Sequence, residues 1–197
     1  MIPSYMKKNK CLFIHIPRTG GTSILASLGK KKQGGRQHFP WYVYRALDKK
    51  NYENFFKFAF VRDPLTRVYS VYKYLVHGGN QKCDAPLSDN VIKYGNFDQF
   101  VIHGLGQGHF RNYTLFLPQA NFILGPCGET MVDFVGRYEN LSDEFQYVEK
   151  KLKLKQQLPT LNQSSASLDD EHKHLSHDAL KILQEIYKQD RVMFDYW

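Results

Sequence analysis

The feature that most constrains the fold of this 197-residue sequence is a short apolar run that ends at a proline and leads into a glycine pair. Residues 11–16 have the length and composition of a buried strand, and Pro17 cannot donate the hydrogen bond that would extend it. Residues 24–28 then suit a helix. A chain that passes from strand to helix through Gly20 and Gly21 presents backbone N–H groups at one point, and such turns bind anions, most often phosphate.

Polar residues in the same turn fit this interpretation. Arg18 supplies a cation, and Thr19, Thr22 and Ser23 supply hydroxyl groups. The turn nevertheless lacks the Gly-x-x-x-x-Gly-Lys-[Ser/Thr] pattern of nucleoside-triphosphate loops, because no lysine precedes Thr22. The segment alone therefore leaves two alternatives, which are an anion site of another kind and an ordinary tight turn.

A second segment has a similar strand-to-helix pattern. Residues 55–61 are typical of a buried parallel strand. Asp63 is a good helix N-cap, and Pro64 suits the first helical position. Arg62 stands at the end of the strand, and Ser70 follows about two helical turns later. A guanidinium and a hydroxyl at this spacing can bind one phosphate; the alternative is a surface arginine and a helical serine.

The whole sequence predicts strands that alternate with helices. Strands are expected at 11–16, 55–61, 120–124 and 131–138, and helices at 22–29, 64–76, 97–105, 141–154 and 177–188. Residues 38–47 are expected to hold a short strand and part of a helix, residues 77–95 a loop or lid, and residues 104–113 a loop. This alternation favours a parallel sheet, whose ligands bind beyond the carboxyl ends of the strands. Arg18 and Arg62 follow such ends, so we expect them to meet.

Length and composition fit a single globular domain over residues 1–197, with 42% hydrophobic residues. No apolar run is long enough to cross a bilayer, and the first residues contain no stretch of signal-peptide type. Three distant cysteines, Cys11, Cys83 and Cys127, are typical of reduced thiols. We therefore expect a cytoplasmic protein.

A formal net charge of +8 is compatible with nucleic acid, but also with a polyanionic substrate. No nucleic-acid-binding signature accompanies the basic runs, so no nucleic-acid partner is expected. No metal-ligand pattern is apparent either: the histidines at 172, 174 and 177 have poor spacing for a helical metal site.

The two motifs together resemble those of sulfotransferases that use 3′-phosphoadenosine 5′-phosphosulfate (PAPS). Residues 15–23 resemble the 5′-phosphosulfate loop, and residues 60–72 resemble the 3′-phosphate motif. Further blocks follow in family order at 116–124, 133–141, 158–162 and 186–190. The branch that the sequence resembles is the carbohydrate type, with the heparan and chondroitin sulfotransferases and small bacterial relatives. The resemblance implies an α/β, three-layer, P-loop-like fold with a central parallel β-sheet flanked by helices.

The resemblance also implies a reaction and a set of residues. PAPS would donate a sulfuryl group to a hydroxyl of a small-molecule or glycan acceptor, leaving 3′-phosphoadenosine 5′-phosphate (PAP), with no metal required. Arg18 stands where the family usually has lysine, and because arginine does not give up its proton, electrostatic stabilisation is the expected role. The expected donor-binding residues are Arg18, Thr19, Gly20, Gly21, Thr22, Ser23, Arg62, Ser70 and Arg137. For Arg137, pairing with Glu139 or Asp133 is an equal alternative. Thr160 replaces a histidine that is usual in the family near the nucleotide.

The general base is expected between the two donor motifs, where carbohydrate sulfotransferases commonly carry a histidine. His38 matches that position, with His109 and Glu53 as alternatives, whereas His15 inside the first strand is expected to be structural. Three aromatic residues beside the base are expected to wall an acceptor cleft: Phe39, Trp41 and Tyr42. Two other functions stay open from the sequence, namely a P-loop-like nucleotide kinase and a non-catalytic protein that binds polyanions or nucleic acid.

Overall fold

The chain forms two compact units. The computed structural model describes residues 2–30, 37–80, 83–154, 158–159 and 174–196. The sheet unit comprises Met1–Arg62 and Gln119–Ser165, and the helical unit comprises Asp63–Pro118 and Ala166–Trp197. The chain therefore leaves the sheet unit after Arg62 and returns to it at Gln119. The organisation of both units as one domain stays a prediction.

A three-stranded parallel sheet forms the centre of the sheet unit. Its strands are β1 (Cys11–Phe13), β2 (Phe56–Val61) and β3 (Phe134–Arg137), in the spatial order β1-β2-β3. Phe58 of β2 lies in register with Phe13 on one side and with Phe134 on the other. The rings of Phe13 and Phe58 stack at a centroid distance of 5.1 Å. β1 is fully buried and β2 is buried from Phe58 to Val61, as their composition predicted, whereas β3 is half-buried except at Gly136.

Helices flank the sheet and build the second unit. They are α1 (Ser4–Lys8), α2 (Gly21–Ser27), α3 (Trp41–Leu47), α4 (Lys49–Asn54), α5 (Pro64–Val76), α6 (Ala85–Ile92), α7 (Phe97–Gln99), a π-helix (Phe100–Leu105), α8 (Ala120–Ile123), a 3₁₀ turn (Tyr138–Asn140), α9 (Leu141–Leu152), α10 (His177–Ile186) and α11 (Lys188–Met193). In the sheet unit α1 contacts β1 and α9 contacts β3. The predicted α/β fold with a parallel sheet flanked by helices is confirmed. None of the described helices is long and apolar enough to span a membrane.

The helical unit packs around α5, which spans the predicted residues. The Asp63 side chain accepts a hydrogen bond from the Thr66 N–H at 2.8 Å, so the predicted N-cap is confirmed. Val68, Tyr72 and Leu75 are buried. Arg67 is fully buried as well, and its guanidinium donates to backbone carbonyls of residues 115 and 117 at 3.2 and 2.8 Å. Those carbonyls accept from Nη1 and Nη2 and so offset part of the cost of burying the arginine, while its Nε has no hydrogen-bond partner among the described residues.

Three element predictions are wrong. Residues 120–124 form the helical turn α8 instead of a strand, with the Leu124 N–H donating to the Ala120 carbonyl at 2.9 Å. A five-residue apolar run has no periodicity that separates the two structures. The predicted loop 77–95 contains α6, which begins at Ala85. Pro86 lies in its first turn, a position that suits proline as well as a loop does.

The third error concerns residues 38–47, where α3 confirms the predicted part of a helix but the predicted short strand is absent. The first strand is shorter than expected and ends at Phe13, although residues 14–16 stay buried. Other sequence features lie outside the described residues, namely the basic segment 31–36, His172 and the family block from Thr160 onward.

Candidate functional site

The loop after β1 is tightly closed. Arg18 has a left-handed backbone with φ of 66°, which is uncommon for a residue other than glycine. Thr19 is fully buried, and its hydroxyl donates to the Ile16 carbonyl at 2.9 Å. The hydroxyl of Thr19 thus holds the turn together. The loop has one defined shape, which it takes at the carboxyl end of the sheet.

Both glycines of the turn are required by their surroundings. Gly20 has φ of 80°, and a β-carbon built there would lie 2.5 Å from Leu141 and 3.3 Å from the ring of Tyr138. A β-carbon on Gly21 would overlap the imidazole ring of His15. Only glycine therefore lets the loop approach the start of α9 on one side and His15 on the other.

Two hydroxyl-bearing residues follow at the start of α2. Thr22 is half-buried and Ser23 is buried. The N–H of Ser23 donates to the Gly20 carbonyl at 3.1 Å, which begins the helix directly after the glycine pair. The predicted strand–glycine–helix turn is confirmed, and it gathers Arg18 and the residues from Thr19 to Ser23 in one segment.

Arg62 meets this loop, as the sequence predicted for two residues that follow neighbouring parallel strands. Its Nη1 donates to the Arg18 carbonyl at 3.4 Å. Its guanidinium lies over the ring of Tyr138, 4.5 Å from the ring centroid. Two cationic residues are thus concentrated at the carboxyl ends of β1 and β2, which makes this edge of the sheet suited to an anion with several negative charges.

His38 lies beside the same loop. Its Nδ1 is 2.9 Å from the His15 carbonyl, and the centroids of the two imidazole rings are 4.2 Å apart. A carbonyl oxygen only accepts hydrogen bonds, so Nδ1 of neutral His38 carries the proton and Nε2 keeps its lone pair. The half-buried His38 is therefore held in the tautomer that can accept a proton at Nε2.

A comparison with protein families matches residues 5–197 to the sulfotransferase family. The chain belongs to the sulfotransferase family. It is therefore an enzyme of sulfuryl transfer, and the expectation of a nucleotide kinase or a non-catalytic binding protein is set aside. Neither a comparison with curated proteins nor one with solved structures found a match.

Two further expected donor residues are distributed over both units of the sulfotransferase. Ser70 is half-buried on α5 of the helical unit, so its proximity to Arg62 stays a prediction. Arg137 ends β3, and its N–H donates to the carboxylate of Glu144 at 2.9 Å. One of its proposed partners, Asp133, contacts Lys57 instead, with 3.0 Å between the carboxylate and Nζ. Phosphate binding by the Arg137 side chain stays a prediction, as does its alternative pairing with Glu139.

The expected aromatic wall is wrong in part. Trp41 is buried, and its indole N–H donates to the Leu124 carbonyl at 2.8 Å, which fixes it in the core of the sheet unit. Phe39 packs edge-on against Tyr44. Tyr42 alone of the three residues is largely exposed, at 53%. Trp41 is the first residue of α3 and buries its apolar ring, and no local pattern in the sequence indicates the carbonyl that accepts its N–H.

The two alternative bases have other surroundings. His109 is exposed in the helical unit, with Nδ1 3.4 Å from the Tyr94 hydroxyl. Glu53 is exposed on α4 and lies 3.8 Å from Lys49. Among the residues that the structure describes, no group of three or more His, Cys, Asp or Glu side chains could hold a metal ion.

Two residues that the sequence analysis did not single out hold Arg62 in place. Gln119 is fully buried; its Oε1 accepts from the Arg62 N–H and its Nε2 donates to the Arg62 carbonyl, both at 2.8 Å. Tyr138 lies between the Arg62 guanidinium and Gly20. Both belong to blocks that resemble the family, but the resemblance gave no reason to select them over their neighbours.

The Gln119 contacts generate a first prediction. Replacing Gln119 with leucine removes both hydrogen bonds to the Arg62 backbone, so we expect the free energy of unfolding in urea to fall by about 1–3 kcal/mol. Asn121→Leu is the matched control, since Asn121 is exposed on the same helix, and its free energy of unfolding should change by no more than about 0.5 kcal/mol. Equal effects of the two substitutions would contradict the role of Gln119.

Proposed function

We propose that this sulfotransferase takes its sulfuryl group from PAPS and transfers it to a hydroxyl of a carbohydrate acceptor, with His38 as the general base and Arg18 as the stabilising cation. The observation that carries the proposal is the contact of Arg62 with Arg18 at 3.4 Å beside the glycine loop. It places the Arg62 guanidinium against the backbone of Arg18, so two cationic residues adjoin at one edge of the sheet. PAPS carries phosphate groups at its 3′ and 5′ positions, which fits such a pair of cations.

Each donor-binding residue has a proposed part. The segment from Thr19 to Ser23 binds the 5′-phosphosulfate through backbone N–H groups and the hydroxyls of Thr22 and Ser23, while the Thr19 hydroxyl closes the loop. Arg62 and Ser70 bind the 3′-phosphate, and Arg137 is a further candidate phosphate ligand. Gln119 holds the Arg62 backbone, and the Arg18 carbonyl and the Tyr138 ring contact its guanidinium. These contacts support the assignment, because a preorganised side chain loses less freedom on binding.

The proposed reaction is an in-line displacement at sulfur. The acceptor oxygen forms a new bond to sulfur, and the bond between sulfur and the 5′-phosphate oxygen breaks with its electron pair on that oxygen. Arg18 stabilises the negative charge that develops there, since a guanidinium keeps its proton. No metal is required in this scheme because the charge is met by side chains and backbone dipoles.

His38 takes the proton of the acceptor hydroxyl at Nε2. Support comes from the hydrogen bond between Nδ1 and the His15 carbonyl, which fixes the required tautomer. A carbohydrate acceptor is supported by the resemblance to carbohydrate sulfotransferases and by the exposed ring of Tyr42 close in sequence to the base. We also propose a cytoplasmic location, in keeping with three free cysteines.

A thermal-shift panel tests the choice of donor. PAP should raise the melting temperature of the protein, because a ligand that binds only the folded state stabilises that state. This increase should not require magnesium. ATP with magnesium and a mixed oligonucleotide serve as comparison ligands for the two functions that the sequence left open. A larger shift with ATP and magnesium than with PAP would contradict the proposed donor.

Loss of the Arg62 side chain should weaken product binding. Arg62→Ala removes a charge-assisted contact worth roughly 1.5–3 kcal/mol, so calorimetry should show PAP binding weakened by at least about 10-fold. Arg45→Ala, which removes the same charge from an exposed position on α3, should leave PAP affinity unchanged. A folded Arg62→Ala protein with wild-type PAP affinity would refute the 3′-phosphate assignment.

Arg18 should matter more for turnover than for binding. We expect Arg18→Ala to lower kcat by about 100-fold or more, as for the loss of a preorganised donor, while PAP affinity falls less because the charge develops mainly in the transition state. Arg18→Lys, the residue usual in the family, keeps the charge and should retain most of the turnover. Equal losses of PAP affinity and of kcat/KM in the Arg18→Ala protein would show that Arg18 acts only in binding.

The base assignment predicts a separate pattern. His38→Ala should leave PAP affinity intact and lower kcat by at least about 100-fold, since a positioned base contributes 10²–10⁴-fold. The wild-type rate should rise with pH as His38 loses its proton, and this dependence should vanish in the variant. His103→Ala, at an exposed histidine of the helical unit, is the control. Near-normal kcat in a folded His38→Ala protein would show that another residue is the general base, and His109 would then be tested.

A further inference from the structure

We propose that His15 is a positioning residue that couples the base to the glycine loop. The inference rests on the proposed function of His38, and it gives a role to a buried histidine that the reaction itself does not use. His15 is 3% exposed, so it has no access to an acceptor molecule in solution. Its part is to hold His38 and Gly21 in one arrangement.

The first contact is with the base. His15 contacts His38 in two ways. Its backbone carbonyl accepts a hydrogen bond from the His38 Nδ1–H. Its ring centroid lies 4.2 Å from that of His38, with an angle of 45° between the ring planes. The hydrogen bond selects the tautomer, and the ring contact limits the tilt of the imidazole. A catalytic side chain with both restraints loses little freedom when the acceptor binds.

The second contact is with the donor loop. The edge of the His15 ring formed by Cδ2, Cε1 and Nε2 lies against Gly21, so closely that no β-carbon fits between them. Any displacement of the His15 ring therefore changes the position of Gly21 or of His38. The five-membered ring is small enough for this gap and flat enough to pack on both sides.

The third contact connects His15 with the sheet. Its ring stacks on Phe13 at 5.2 Å with a 21° angle, and Phe13 in turn stacks on Phe58 of the central strand at 5.1 Å. A continuous stack of four rings thus runs from β2 to His38. Because protein interiors are close-packed, such a stack transmits position and does not deform freely.

The wild-type protein gives the first test. Nitrogen-15 NMR of the labelled imidazoles should find neutral His38 with its proton on Nδ1. His77 is an internal reference, because its Nδ1 also faces a backbone carbonyl, that of Lys73 at 2.7 Å, but in the helical unit. A His38 with its proton on Nε2 in the folded wild type would overturn the proposal without any variant.

The second test removes the ring and keeps the carbonyl. Without the ring contact the His38 imidazole can tilt, and tilting misaligns Nδ1–H with the carbonyl that remains. In His15→Ala we therefore expect the fraction of His38 with Nδ1–H to fall and kcat to drop about 10- to 100-fold, with a smaller change in PAP affinity. Ile14→Val, at the adjacent buried residue, should leave the His38 tautomer unchanged. An unaltered His38 tautomer in a folded His15→Ala protein would refute the positioning role.

The two tests separate this inference from the proposed function. The tautomer is measured without turnover, so it reports on the contact between His15 and His38 even if the donor is not PAPS. A wild-type protein with Nδ1–H on His38 that transfers no sulfate from PAPS would refute the proposed donor, whereas an unaltered His38 tautomer in His15→Ala refutes the positioning role in a protein of either activity.

Discussion

The double hydrogen bond between Gln119 and the backbone of Arg62 is the contact on which the sheet unit depends. Arg62 is the last residue of that unit before the chain enters the helical unit, and Gln119 is the first residue after its return. A buried amide that pairs with both backbone groups of Arg62 joins the two ends of the 56-residue segment Asp63–Pro118. It also fixes the direction in which the Arg62 side chain leaves β2, toward Arg18 and Tyr138.

The main features of the fold and the site followed from local sequence patterns. The proline after an apolar run, the glycine pair and the Asp63-Pro64 cap each have a strong conformational preference, and α5 begins and ends at the predicted residues. Arg18 and Arg62 meet because both follow parallel strands of one sheet. Side chains at strand ends can therefore be located from sequence without knowledge of their neighbours.

The features of the fold and the candidate site that the sequence did not predict depend on contacts between distant residues. The pairing of Gln119 with Arg62 joins positions 57 apart in sequence, and the indole of Trp41 donates to a carbonyl 83 residues away. No local pattern indicates such partners. The prediction of a strand at residues 120–124 was wrong for another reason. A run of a few apolar residues fits a buried helix turn and a buried strand equally well. His15 was rightly expected to be buried, but its contact with His38 was not foreseen.

Transfer of labelled sulfate from PAPS tests the central claim most directly. The protein should be incubated with PAPS labelled in its sulfate and a library of oligosaccharides, without added metal and with chelator present. The account predicts labelled saccharide and an equal amount of PAP, and a rate of transfer about 100-fold lower or lower still in the Arg18→Ala protein. Transfer that requires a divalent metal, or folded wild-type protein that binds PAP but labels no hydroxyl in the library, would contradict it.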